Sequence, residues 1–159
     1  MLKIISNTTP LISFLKIGQL ELLREIYNTI IIPEAVFAEV EKGKYKSYYM
    51  DISQFDWIDI QEIKDKKVLS YFLDLDAGEA EVIVLATEIA ADLVIIDETL
   101  GRRFAKHADL KVTGTIGILV KAKEVGLVKK VSPLLDELQK KGVWINNKLK
   151  ERILAKVNE

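Results

Sequence analysis

The sequence predicts an α/β protein in which helices cover a mainly parallel sheet. Short, continuous apolar runs alternate with longer segments whose apolar residues recur at helical spacing. Strands that are buried on both faces have this continuous apolar character. The chain has 159 residues, of which 49% are hydrophobic, so it can bury a sizeable core within the usual size of one domain. We therefore expect one domain over residues 1–159, with a basic helical extension from about residue 131.

Turn and cap residues set the boundaries of the predicted elements. Pro10 suits the first turn of a helix, Gly18 separates two short helices, and Pro33 and Gly43 flank a third. The predicted strands cover residues 3–6, 29–32, 57–60, 93–96 and 111–112. The predicted helices cover residues 10–16, 19–27, 34–43, 77–90, 100–107, 115–125, 132–141 and 147–156.

Composition excludes several kinds of functional site. The chain has no Cys and one His, which excludes thiolate chemistry and makes a histidine-based metal site or catalytic triad improbable. The single His107 falls late in a predicted helix and receives no catalytic role. The N-terminus lacks the apolar core of a signal peptide, and no segment approaches the roughly 20 apolar residues of a membrane span. We expect a cytoplasmic protein with no membrane contact.

Charge is distributed unevenly along the chain. Residues 1–100 carry 9 Lys and Arg against 18 Asp and Glu, whereas residues 101–159 carry 14 against 6. An acidic region beside a basic one suits a site for a cation next to a polyanion. Mutual neutralisation of the two halves explains the same pattern equally well.

Carboxylate and amide side chains fall beyond the carboxyl ends of the predicted strands, where ligands bind in a parallel sheet. Asn7 follows the first predicted strand, and Asp97, with Glu98 beside it, follows the fourth. Glu39 and Glu81 lie in helices among apolar neighbours. Taken singly, each acid is better explained as a helix charge or a cap.

Glu79 is interpreted differently from these acids. Asp76 is a good helix N-cap, and the acid three residues later fits a capping box. We therefore expect Glu79 to stabilise the helix start rather than to serve the site.

Taken together, the acids predict a site for a hard divalent cation, because carboxylate and amide oxygens are the ligands that Mg²⁺ and Mn²⁺ prefer. A cation in such a site lowers the pKa of a bound water and stabilises the charge of a phosphodiester under attack. Phosphoryl chemistry is the reaction class that the acids suggest.

Five segments carry a resemblance to a known family: SNTTPLI, IIPEAVFAEV, LDAGEAEVIVLA, LVIIDETLGRRFA and VTGTIGILVKAKEVGLV. In this order and spacing they resemble the PIN-domain family, and within it prokaryotic PIN-like proteins related to VapC toxins. The resemblance implies a three-layer α/β/α sandwich and a Mg²⁺- or Mn²⁺-dependent ribonuclease. It also implies a homodimer and an antitoxin partner.

The resemblance assigns the acidic site to Asn7, Glu39, Glu81 and Asp97, with Glu98 an alternative to Asp97. The family has Asp where this chain has Asn7, and an amide brings no negative charge to a cation. Two readings follow: an active single-stranded RNA endonuclease, or a weakened or inactive PIN-like module that binds RNA or protein. An acidic phospho-acceptor domain fits less well, because the chain offers no clear counterpart to its Lys.

Four further residues are candidates for contact with substrate phosphate. Arg102 and Arg103 carry guanidinium groups suited to phosphate, and each has the alternative of pairing with a helix acid. Thr113 and Thr115 belong to a tight turn that enters a helix, where backbone N–H groups bind anions. A plain N-cap role is the alternative for Thr115.

Overall fold

The central sheet has five strands, all parallel, in the computed structural model, which describes residues 1–159. The strands are β1 (Ile4–Ser6), β2 (Ile30–Pro33), β3 (Ile58–Gln61), β4 (Leu93–Ile95) and β5 (Val112–Thr113). Their order across the sheet is β3-β2-β1-β4-β5. The predicted parallel α/β architecture is confirmed.

Eight α-helices cover the sheet and make a three-layer α/β/α sandwich. They are α1 (Thr8–Lys16), α2 (Glu21–Tyr27), α3 (Glu34–Glu41), α4 (Ala77–Glu88), α5 (Thr99–His107), α6 (Thr115–Glu124), α7 (Ser132–Lys140) and α8 (Asn147–Lys156). Helices α3, α4 and α5 contact one another in series, whereas α1 and α2 contact α6. Two 3₁₀ helices, Ile52–Gln54 and Lys66–Phe72, lie between α3 and α4.

The hydrophobic core is built from the strands and from the inner faces of the helices. Every residue of β1 and β2 is buried, as continuous apolar strands between two helix layers should be. Helix α7 joins the same core through buried Leu135 and Leu138, and α8 packs against it with half-buried Ile153 and Leu154. No helix is long and apolar enough to cross a membrane.

The order of the strands fixes where a ligand site can form. From β1 the chain moves outward on one side to β2 and β3, and then crosses to the other side of β1 to place β4 and β5. The gap between helices at such a reversal opens beyond the carboxyl ends of the two central strands. Asn7 follows β1 and Asp97 lies two residues past the end of β4, so both belong to this crevice.

Candidate active site

The residues that follow the two central strands meet in a hydrogen-bonded group. The Asn7 Nδ2 donates to Glu98 Oε2 at 3.3 Å, and the hydroxyl of Thr9 donates to the other oxygen of the same carboxylate. Residues 7 and 98 are far apart in sequence, and the pairing of β1 with β4 brings them together. Of the two neighbouring acids at the end of β4, Glu98 is therefore the one in contact with Asn7.

The Asn7 side chain does not cap helix α1, although Asn is a common N-cap residue. It occupies the N-cap position of α1, yet its side chain makes no capping hydrogen bond. Its Oδ1 is buried without a hydrogen-bond partner, and the residue is only 1% exposed. A buried polar oxygen without a partner is costly, so an oxygen left in this state at a strand end is a candidate ligand atom.

Glu79 contributes a second buried oxygen without a partner. Its Oε2 has no hydrogen-bond partner, and the residue is 7% exposed. The pKa of the Glu79 carboxyl is raised to about 7, first by burial and then by the Asp76 side chain and the negative charge of Glu98. Glu79 therefore lies within electrostatic reach of the Asn7 and Glu98 group, although the sequence interpretation had assigned it to a helix cap.

The capping box at the start of α4 is only half formed. The Asp76 side chain accepts a hydrogen bond from the backbone N–H of Glu79 at 2.8 Å, as predicted. The Glu79 carboxylate does not return a bond to the backbone, and its Oε2 points toward Gly101 on α5 instead. The bond from the Glu79 N–H to Asp76 stabilises the helix start, and it leaves the Glu79 carboxylate available for contacts in the crevice.

Glu81 lies on the other side of the same helix. Residues two apart in an α-helix point about 200° apart, so Glu79 and Glu81 cannot face the same crevice. The Glu81 Oε1 accepts a hydrogen bond from the backbone N–H of Ala35 at 3.2 Å, at the start of α3. Glu79 instead faces Gly101 on α5, and the charge of Glu98 raises its pKa.

Glu39 lies between the starts of two helices. Its Oε2 accepts a hydrogen bond from the Thr8 hydroxyl at 2.5 Å, and its Oε1 accepts one from the backbone N–H of Gly78 at 3.0 Å. Glu39 thus lies next to the residues that flank Asn7 and Glu79 in sequence. Each carboxylate oxygen keeps a lone pair for another contact.

Asp97 holds the start of α6. Its Oδ1 accepts a hydrogen bond from the backbone N–H of Thr115 at 2.7 Å, and its Oδ2 accepts one from the Thr115 hydroxyl at 2.6 Å. Burial raises the pKa of Asp97 above its ordinary value, although the bonds from Thr115 and the charge of Arg102 oppose the shift. Thr115 is occupied by Asp97, so its hydroxyl is not free for the predicted phosphate contact.

Three glycines make room for three of these carboxylates. A Cβ at Gly78 would lie 2.8 Å from both oxygens of Glu39, and one at Gly114 would lie 2.6 Å from Asp97 Oδ1. A Cβ at Gly101 would collide with Glu79 Oε2. The acids approach the backbone at positions where any larger residue would displace them.

The candidate phosphate contacts separate into two groups. Arg102 is half-buried and donates from Nη1 to the carbonyl of Ile96 at 3.1 Å, which holds its guanidinium beside Asp97. Arg103 is exposed on the same helix and forms no ion pair. Thr113 lines a different groove, together with Leu2 and Lys156, which does not include the site acids.

The acids do not form one preassembled cluster. No three Asp, Glu or His side chains lie in an arrangement that could hold a metal ion, so the joint set of Asn7, Glu39, Glu81, Asp97 and Glu98 is not brought together. The residues at the crevice nevertheless fit a hard divalent cation. Asn7 Oδ1 and Glu79 Oε2 are buried oxygens without partners, the Asn7 amide contacts Glu98, the charge of Glu98 acts on Glu79, and every donor is oxygen.

Comparison with protein families shows which family the chain belongs to. A family model described as a PIN domain matches residues 3–159. The chain belongs to the PIN-domain family. PIN domains are generally nucleases that bind nucleic acid and typically use divalent metals. A comparison with curated proteins found no match for this chain.

Proposed function

We propose that this PIN domain is a metal-dependent endonuclease that hydrolyses single-stranded RNA with Mg²⁺ or Mn²⁺. The observation that carries the proposal is the pair of buried oxygens, Asn7 Oδ1 and Glu79 Oε2, left without hydrogen-bond partners beside Glu98. Oxygens in this state cost stability unless something binds them. A divalent cation satisfies both and removes the repulsion between Glu79 and Glu98.

Asn7, Glu79 and Glu98 would hold the cation, with Glu39 and Asp97 as the nearest further carboxylates. When bound, the cation supplies a more acidic water and stabilises negative charge on the phosphodiester. Thr9 orients the Glu98 carboxylate through its hydroxyl, and Asp97 fixes the helix start at Thr115.

Two arginines have separate roles toward the substrate in this proposal. Arg102, held on the carbonyl of Ile96, contributes positive charge beside Asp97. Arg103 is free to bind a phosphate of the RNA backbone.

The test is cleavage of a single-stranded RNA oligonucleotide with Mn²⁺ by the parent, Glu79→Gln and Glu81→Gln. The two variants remove the same charge from the same helix on opposite faces, so Glu81→Gln is the matched control. We expect Glu79→Gln to lose at least about tenfold in rate, because a ligand with charge is replaced by one without. Equal rates for Glu79→Gln and the parent would contradict the assignment of Glu79.

A second candidate function is a weakened or inactive PIN-like module, and one contact favours it. The Asn7 amide donates to Glu98, which satisfies that carboxylate without any cation. An Asp at this position would repel Glu98 and strengthen the demand for a metal. If only Asn7→Asp cleaves RNA with Mn²⁺, this chain is a silenced nuclease, and if neither protein cleaves, it acts by binding alone.

The resemblance to VapC toxins supports three further proposals about partners and role. We propose that the protein is the toxin of a toxin–antitoxin pair, that it binds an antitoxin protein and that it forms a homodimer. Growth arrest on expression of the parent, absent with Glu79→Gln, supports the toxin role. Light scattering of the purified chain measures the oligomeric state, and a monomer at micromolar concentration contradicts the homodimer.

A further inference from the structure

A groove of about 580 Å³ extends from the site acids to the loop between α7 and α8. Its lining includes Thr9, Asp97 and Glu98 as well as Val143 and Trp144. The groove therefore joins the proposed cation site to an aromatic side chain within one continuous surface.

Trp144 is the feature of this groove that the proposed chemistry does not use. It is 82% exposed, whereas the only other tryptophan, Trp57, is 7% exposed and belongs to the core. A second, smaller depression lies beside Trp144 and is lined by Asn146, Asn147 and Lys148. The indole thus stands between two depressions, one of which leads to Glu98.

The lysines near Trp144 form no ion pairs, although the Lys16 ammonium lies 5.8 Å from the centre of the Tyr48 ring. Lys141 and Lys148 flank the indole in sequence, are exposed, and form no ion pair. Lys16 lines the groove and also forms no ion pair. By contrast, Lys140 and Lys150 in the adjoining helices pair with acids.

We propose that Trp144 is a stacking platform for a base of a single-stranded nucleic acid whose scissile phosphate lies at Glu98. The inference rests on the proposed function, because it names a substrate subsite of the same crevice. An exposed indole with unpaired lysines around it is the combination that binds single strands, since bases stack on the ring and phosphates neutralise the lysines. Duplex nucleic acid offers no free base face, so the subsite selects single strands.

Quenching of tryptophan emission measures the stacking directly. The parent is titrated with an oligouridine RNA of eight nucleotides in EDTA, where a metal-dependent enzyme does not cleave. A base stacked on Trp144 should quench its emission, and Trp144→Phe should lose that signal because only buried Trp57 remains. An oligonucleotide with abasic riboses keeps the phosphates and should not quench.

Affinity separates stacking from charge. Trp144→Ala should weaken RNA binding about 5- to 150-fold, the range for loss of a stacked base, and Trp144→Phe should recover part of it. Tyr45→Ala is the matched control, because Tyr45 is 81% exposed, lies close to a lysine, and does not line the groove. It should bind RNA like the parent.

Two outcomes overturn the proposal. Equal RNA affinity for Trp144→Ala and the parent refutes the stacking role, even if RNA is cleaved. Equal quenching of the parent and of Trp144→Phe by the RNA attributes the signal to Trp57 and refutes stacking on Trp144.

The result also separates this inference from the nuclease proposal. Trp144-dependent RNA binding in a protein that fails to cleave with Mn²⁺ supports the subsite and contradicts the enzyme. Cleavage that is unaffected by Trp144→Ala supports the enzyme and contradicts the subsite.

Discussion

Replacing Glu79 by Gln should stabilise the metal-free protein at alkaline pH. The pKa of this carboxyl is raised from 4.5 to about 7 in the folded chain, first by burial and then by Asp76 and Glu98. The folded state therefore holds a proton that the unfolded state has already lost. Stability falls as pH rises from about 4.5 to about 7, because the charged carboxylate is disfavoured in the folded protein.

The size of the effect follows from the two pKa values. A difference between 4.5 and about 7 corresponds to an upper limit of about 3 kcal/mol above pH 7. Asp76 is exposed and Glu98 half-exposed, so solvent screens their charges and lowers the expected value to about 1–2 kcal/mol. The Gln side chain has no proton to lose and escapes this penalty.

Urea unfolding at pH 5 and pH 8.5 in EDTA measures the difference. Glu79→Gln should gain about 1–2 kcal/mol over the parent on going from pH 5 to pH 8.5. Glu81→Gln, which removes the same charge from the opposite face of α4, should keep the pH dependence of the parent. If Glu79→Gln follows the parent at both pH values, the carboxyl is not the buried, crowded group described above.

Three further predictions concern the site and the C-terminus. Gly101→Ala should cost about 1–3 kcal/mol in urea unfolding because its methyl group meets Glu79, and Glu79→Ala in the same chain should recover part of that loss. Asn7→Asp should bind Mn²⁺ on the order of tenfold more tightly by calorimetry, since it adds one charge at ligand distance, and unchanged affinity would contradict the ligand role. At Glu159 burial acts to raise the pKa, but the hydrogen bonds from Lys123 and two backbone N–H groups outweigh it and lower the pKa to about 2. Glu159→Gln should therefore lower the thermal midpoint at pH 7, and the difference should shrink as pH falls from about 4.5 toward 2.

The elements were predictable because turn and cap residues mark their ends. The last helix was predicted over residues 147–156 and is observed as Asn147–Lys156, where Asn146 caps the first turn. Pro33 ends β2 and precedes α3, and Gly18 separates α1 from α2 with a positive φ of 66°. Parallel pairing followed from strands that are apolar throughout.

The stretch between α3 and α4 was not predictable to the same degree. Its 3₁₀ helices, Ile52–Gln54 and Lys66–Phe72, have three residues per turn and leave no 3.6-residue periodicity in the sequence. Asp51 and Asp65 cap these helices through local hydrogen bonds, which are visible only once the backbone path is known. The strand predicted at residues 57–60 is confirmed as Ile58–Gln61.

Site residues that follow strands were predictable from the sequence, whereas the site residue on helix α4 was not. The rule for parallel sheets anticipated that Asn7 would meet the residues after β4, and Glu98 is its hydrogen-bond partner. The choice between Glu79 and Glu81 could not follow from apolar neighbours, because residues 82–86 of α4 are all buried and mark no single inner face. Helical spacing does place the two acids on opposite faces of α4, and Glu79 is the one whose pKa the charge of Glu98 raises.

Calorimetric titration of Mn²⁺ into the parent, Glu79→Gln and Glu81→Gln tests the central claim most directly, namely that Asn7, Glu79 and Glu98 hold a divalent cation. The account predicts one Mn²⁺ per chain for the parent and for Glu81→Gln, and an affinity at least about tenfold weaker for Glu79→Gln. Equal Mn²⁺ affinity for Glu79→Gln and the parent, or loss of binding with Glu81→Gln alone, would contradict it.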